Sequence, residues 1–280
     1  MARLTANSYG KAAVRLTKVV RHGAVHTLFE FNVEIMLEGK FEAVYLEGDN
    51  SRCIPTDTMK NTVYALAKKH EFESGEEFAR ILAGHFIETF LHVFRATVTL
   101  EQVLWDRIVV DGKPHDHSFA KSTTARRTAT ARAQRGEPIT LTGGVTGLEV
   151  IKTTKSGFAG FLRDQYTTLK ETTDRIFGTS VDAAWTYDSA EADFNAGFAA
   201  ARRAILDVFA THDSLGVQQT IFAMGEAVLA AVPAICEISF TMPNQHRLLV
   251  NLEPFKMTNS NEIFVTTSEP FGLIKGTLAR

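Results

Sequence analysis

Six short strings hold most of the side chains in this chain that could do chemistry. They run from Tyr9 to Arg15, Pro55 to Thr62, His115 to Phe119, Gly157 to Arg175, Ser214 to Gln218, and Met242 to His246. An arginine offers a planar fork of donors to an anion. A glutamine amide both donates and accepts, and a phenylalanine face can stack on a flat ligand. A lysine is a base only where burial or a neighbouring cation lowers its pKa. Threonine can pass a proton through its hydroxyl, and histidine titrates near neutrality. Taken singly, each residue also has an ordinary reading. Arg175 reads as a surface charge, Phe158 as core beside Phe161, and Lys11 as a solvated lysine at a strand start. Thr56 or Asp57 reads as a helix cap, His246 as structural or exposed, and Pro243-Asn244 as a turn pair. His115 and His117 would share a strand face, as metal ligands can. With no third ligand evident, a structural role is favoured and no metal site is expected.

The elements that must position these residues follow from periodicity. A strand is expected over Val14 to Val20. Phe29, Phe31, Val33, Ile35 and Leu37 alternate with Glu30, Asn32, Glu34 and Met36, which predicts a strand with one buried face. A helix is expected over about 57–69. A second begins at Ser74-Gly75-Glu76-Glu77, a capping-box pattern. Strand formers return from Thr97 to Leu104, and a turn at Asp111-Gly112-Lys113-Pro114 leads to a strand through Phe119. The basic stretch from Lys121 lacks interleaved aromatics, so it reads as a polar strand rather than a nucleic-acid arm. The order then repeats. Strands are expected over 139–153 and 174–187. Two helices follow, one marked by Phe194, Phe198, Ile205 and Val208, the other by Val217, Ile221, Met224 and Val228. A strand through Ile238, Phe240 and Met242 is expected to continue to Leu252, with a last one at 262–266. The pattern predicts an α+β fold: two tandem domains, 1–137 and 138–280, each an antiparallel sheet with helices on one face. Free sheet edges point to oligomerisation.

Composition narrows the functional classes. The chain has 280 residues, enough for two domains, and a net charge of −2, which argues against nucleic acid as the main partner. Two cysteines are too few for a disulfide scaffold or a cysteine-built zinc site. No apolar run is long enough to span a membrane, and Met1 to Tyr9 lacks the core of a signal peptide. Leu278-Ala279-Arg280 is not the usual peroxisomal address. A cytoplasmic protein is the expectation.

In order and spacing, the six strings resemble the urate oxidase, or uricase, family. The resemblance covers nearly the whole chain, and the 157–175 string is its most specific part. It implies two tunnelling-fold (T-fold) domains per subunit and four subunits assembled into a barrel, with active sites between subunits. The implied reaction is oxidation of urate by O₂ and water to 5-hydroxyisourate and H₂O₂, a step of purine degradation, with no metal or organic cofactor. Residue by residue, the resemblance implies a purine clamp of Arg175, Gln218 and Phe158, with the backbone N–H of Val217 beside it. Lys11, Thr56 and His246 would form the catalytic proton relay. Asn244 would hold O₂ or water above the ring. Asp57 would orient the pocket or contact the purine, and Thr56 and Asp57 would come from the neighbouring subunit. Ala159 departs from the bulky aromatic frequent in the family. The competing expectations are a pterin-pathway T-fold enzyme and a non-catalytic purine-binding homologue.

Overall fold

Strand β1 (Tyr9–His22) turns at Gly23, whose φ of 63° suits glycine, into β2 (Val25–Gly39). The five alternating apolar residues of β2 are all buried, as period two requires. A short helix α1 (Glu42–Leu46) precedes α2 (Thr56–Lys69) and α3 (Gly75–Thr89). Next come β3 (Val93–Val103), a hairpin of β4 (Asp106–Val110) and β5 (Lys113–Ala120), and β6 (Arg126–Gln134). The second series is β7 (Thr140–Lys152), β8 (Phe177–Tyr187), α4 (Phe194–Thr211), α5 (Val217–Ala231) and β9 (Ile235–Gln245). It ends with a ribbon of β10 (Arg247–Leu249) and β11 (Phe264–Thr266), then β12 (Gly272–Ala279). This computed structural model describes residues 2–121, 123–267 and 269–280.

The chain divides into two units. One takes the residues up to Gly144 with Thr186–Phe198, the other Val145–Trp185 with Ala199–Arg280. In the first unit the strand order is β1-β2-β3-β6, antiparallel at each pair, with β4–β5 forming a separate ribbon. In the second the order is β7-β8-β9-β12, and β10–β11 is the separate ribbon. The two orders match: two strands, two long helices, a strand, a two-stranded insert, a strand.

Each unit packs its helices on its own strands. In the first, α3 lies on β3 and β6, and α2 on β1. Phe78, Leu82 and Phe86 of α3 are fully buried, Phe78 lies 5.9 Å from the Phe31 ring of β2, and Phe72 stacks on Phe78 at 4.4 Å. In the second, α5 lies on β9 and β12. Its Ile221, Met224 and Val228 recur on one face and are buried, as are Ile238, Phe240 and Met242 of β9. Each such side chain contributes about 1.5–3 kcal/mol when fully buried. Gly276 of β12 is required here, because a Cβ would come within 2.9 Å of Ile221 Cγ2.

Three local expectations are corrected. The strand through Phe240 does not run on to Leu252: β9 stops at Gln245, and β10 pairs with β11 instead. The N-cap of α2 is Pro55 with no side-chain bond, so neither Thr56 nor Asp57 caps it. Asn244 is not in a turn; it sits in β9 opposite Gly272 of β12.

Candidate functional site

A cavity of about 340 Å³ opens in the second unit. Phe158, Arg175, Val217, Gln218, Asn244 and His246 all line it, with Leu169, Ile176 and Leu248 adding apolar wall. The Arg175 guanidinium lies 5.5 Å from the centre of the Phe158 ring, and Phe161 stacks on Phe158 at 5.0 Å. Burial holds the Arg175 pKa below the ordinary arginine value. Its buried Nε has no hydrogen-bond partner among the described residues. A partly buried cation with an unused donor suits an anion that brings its own acceptors.

The backbone explains how residues so far apart in sequence converge. Ser156 and Ser214 form a parallel bridge. Gly157 N–H donates to Ser214 O at 2.8 Å, and Ser214 N–H donates to Lys155 O at 2.9 Å. Arg175 N–H donates to Ser156 O and Phe158 N–H to Thr172 O, both at 2.7 Å. Phe158, Arg175 and the approach to Gln218 are thus stitched side by side. Val217 opens α5, whose N-cap is Gly216 with no side-chain bond. The first N–H groups of that helix are therefore without a side-chain cap, beside a cavity that also holds a cation. From the sheet, Thr179 Oγ1 donates to Pro243 O at 2.8 Å and so fixes the strand just before Asn244. His246 follows the end of β9, and its carbonyl accepts from Thr267 N–H at 3.1 Å.

Lys11, Thr56 and Asp57 belong to the first unit. Lys11 stands where β1 loses register with β2: pairing shifts between Lys11 and Val14, and Ala13 takes a φ of 57°. Such a bulge re-aims the side chains around it. Gly10 cannot be replaced here, since a Cβ would fall 1.7 Å from Ile35 O. Tyr9 then ties this strand to the segment before α2. Its hydroxyl donates to Ile54 O at 3.2 Å and accepts from Ile54 N–H at 2.7 Å. Burial pushes the Tyr9 phenol well above its ordinary range. The stitch sets Thr56 and Asp57, two and three residues past Ile54, against the strand that carries Lys11. Asp57 accepts from Lys60 and from Asn61 Nδ2. The Lys60 bond chiefly holds its carboxyl below the usual range, and the Lys11 charge adds to that. Lys11 and Asp57 therefore share one electrostatic neighbourhood.

The expected residues thus fall into two groups, Phe158, Arg175, Val217, Gln218, Asn244 and His246 around one cavity, and Lys11, Thr56 and Asp57 in the other unit. Tyr9, Ser156 and Ser214 had no role in the sequence reading; only the repeated polar small residues beside the clamp strings could have signalled the latter two. His115 and His117 lie on β5 with ring centres 4.6 Å apart, and His26 lies 5.7 Å from His117. Among the described residues no group of three or more His, Cys, Asp or Glu side chains is arranged to hold a metal ion.

Comparison with known proteins adds an independent finding. A family model described as Uricase matches residues 7–132 and 141–275. A uricase from Arthrobacter globiformis is 45% identical over 274 residues, covering 98% of this chain and 89% of the relative. One from Aspergillus flavus is 39% identical, covering 100% of this chain and 98% of the relative. The crystal structure of the Arthrobacter globiformis uricase superposes with a TM-score of 0.94 at 44% identity, covering 100% of this chain and 96% of that one.

Proposed function

This chain belongs to the uricase family, and from that membership we propose that it oxidises urate with O₂ and water to 5-hydroxyisourate and H₂O₂. The observation that carries the site assignment is the partly buried Arg175 guanidinium, its Nε without a partner among the described residues, over the Phe158 ring and in one cavity with Gln218. Urate is a flat anion edged with carbonyl oxygens and ring N–H groups. Arg175 supplies a fork to one edge, the Gln218 amide and the Val217 N–H serve the opposite edge, and Phe158 covers a face.

In this reading the chemistry begins with proton removal, which makes the purine electron-rich enough to reduce O₂. Lys11 is the base, and Thr56 and His246 relay the proton. Two electrons pass from the ring to O₂, which takes up two protons and leaves as H₂O₂. Water then adds at the oxidised carbon, placing a hydroxyl there and returning a proton. Asn244 holds first O₂ and then water over the ring. The substrate is the electron donor, so the protein's part is positioning and charge stabilisation. We assign Lys11 to the same protomer as Thr56 and Asp57, because Tyr9, two residues before Lys11, is hydrogen-bonded to Ile54, two residues before Thr56, within one unit. The site then joins the clamp of one chain to the base of its neighbour, in a homotetramer of tandem T-fold domains (1–137 and 138–280) working in the cytoplasm. Among the described residues no helix is long and apolar enough to cross a membrane.

The test is an assay of purified protein with urate in air, following loss of ultraviolet absorbance and formation of peroxide. One H₂O₂ per urate consumed is expected. Binding without turnover would contradict the reading.

A further inference from the structure

We propose that Lys152 is a positioning residue for the purine clamp: its ammonium fixes the 212–216 loop from which Val217 and Gln218 project. The proposal rests on the clamp assignment above and adds to it a residue outside the cavity.

Lys152 is the last residue of β7. Its Nζ donates to His212 O at 2.7 Å and to Ser214 Oγ at 2.9 Å. Ser214 is buried, and its hydroxyl lies 2.7 Å from Thr220 Oγ1. Thr220 Oγ1 in turn donates to Gly216 O at 3.2 Å. One ammonium therefore ties the end of a sheet strand to the loop and, through two buried hydroxyls, to the first turn of α5. The same Ser214 receives Gly157 N–H on its carbonyl, next to Phe158. Both sides of the clamp meet at the residue that Lys152 holds.

The surroundings of Nζ favour this role over an ordinary ion pair. The Phe177 and Phe209 rings lie 5.9 and 5.5 Å away, and both are buried. Among the described residues Lys152 makes no salt bridge; Asp213 acts on it only through space. Burial lowers its pKa, so its charge is held at some expense. Its hydrogen-bond acceptors are a carbonyl and a hydroxyl. A methionine of similar length would keep the stem against the rings and lose the donors. The loop would then be freer, and the Val217 N–H and the Gln218 amide would be less well placed. Lys11 and Thr56 would be untouched. Loss of Lys152 should therefore weaken urate binding and spare turnover.

The experiment uses full-length Lys152→Met, Lys152→Arg and Ser214→Ala proteins and the Met/Ala double variant. It measures the Kd for urate with O₂ excluded, and kcat and KM in air. Lys152→Met should raise Kd and KM about tenfold, with kcat within about twofold of the parent. Ser214→Ala should raise Kd about threefold, and the double variant should fall short of the product, because both changes remove the same bond. Lys152→Arg, which keeps donors, should recover part of the affinity. Unchanged Kd in both single variants overturns the proposal, as does a fall in kcat at unchanged Kd. If Lys152→Met does not fold, Ser214→Ala decides by the same two readings. A parent that binds urate without oxidising it overturns the functional reading instead, and the Kd comparison still decides the role of Lys152.

Discussion

In each unit the second of the two long helices has 15 residues and packs on two strands of that unit, yet the two begin in opposite ways. The first turn of α3 is closed. Ser74 accepts from Glu77 N–H at 3.2 Å, and the Glu77 carboxylate accepts from Glu73 N–H at 2.6 Å. Glu76 beside them is fully buried and pairs with Arg127 at 2.7 Å, which also bonds Asn195 Oδ1 and Phe194 O. The first turn of α5 is open: a glycine stands at the cap, and Val217 and Gln218 face a cavity. The difference teaches how a doubled frame divides its work. One helix start is completed by the chain itself and serves stability. The other has no side-chain cap, and in the proposed reading it is the substrate anion that completes it.

Substitutions can break or sharpen that division. Lys11→Ala should have the largest effect, lowering kcat by about 10²–10⁴-fold while the Kd for urate holds, because it removes a base and leaves the clamp. Steady-state kinetics with anaerobic binding reads both. Arg127→Met strands Glu76 as an uncompensated buried carboxylate and should cost about 3–5 kcal/mol of stability. Chemical denaturation measures this, and the urate Kd of the folded fraction should stay constant. Arg175→Ala should raise KM about 10–100-fold, the loss of a charged hydrogen-bond donor. Gly216→Asp is the sharper probe. The extended backbone there accepts a side chain, whose Cβ would meet only Gln218 Oε1 at 3.5 Å. Its carboxylate should cap α5, raise the melting temperature slightly and raise KM about fivefold by competing with the substrate anion. Ser74→Ala should have the smallest effect, about 1 kcal/mol of stability with kcat and KM unchanged.

How much of this was legible in the sequence depended on where each partner lies. The alternation of Phe29 to Leu37 and the capping box at Ser74 are local patterns, and both appear as read. The helix face of Val217, Ile221, Met224 and Val228 was equally plain. β12 was not among the expected strands, the last of which was placed at 262–266; its Gly276 is there because Ile221 leaves no room for a Cβ. The Lys11 bulge was also hidden, since an alanine gives no sign that it will adopt a φ of 57°. In the site, the clamp strings were visible through family resemblance. Their supports were not: Tyr9 meets Ile54 across 45 residues, and Lys152 meets Ser214 across 62.

The central claim is that each catalytic site takes its clamp from one chain and its base from another. Co-assembly of Lys11→Ala with Arg175→Ala chains tests it most directly. Assayed at urate well below the raised KM of Arg175→Ala, each variant alone should show only a small fraction of the parental rate. Random mixing before assembly should restore about a quarter of the parental sites, since a site is intact when a wild-type clamp meets a wild-type lysine. Mixtures no more active than the separate variants would contradict the claim and place both groups of residues on the same chain.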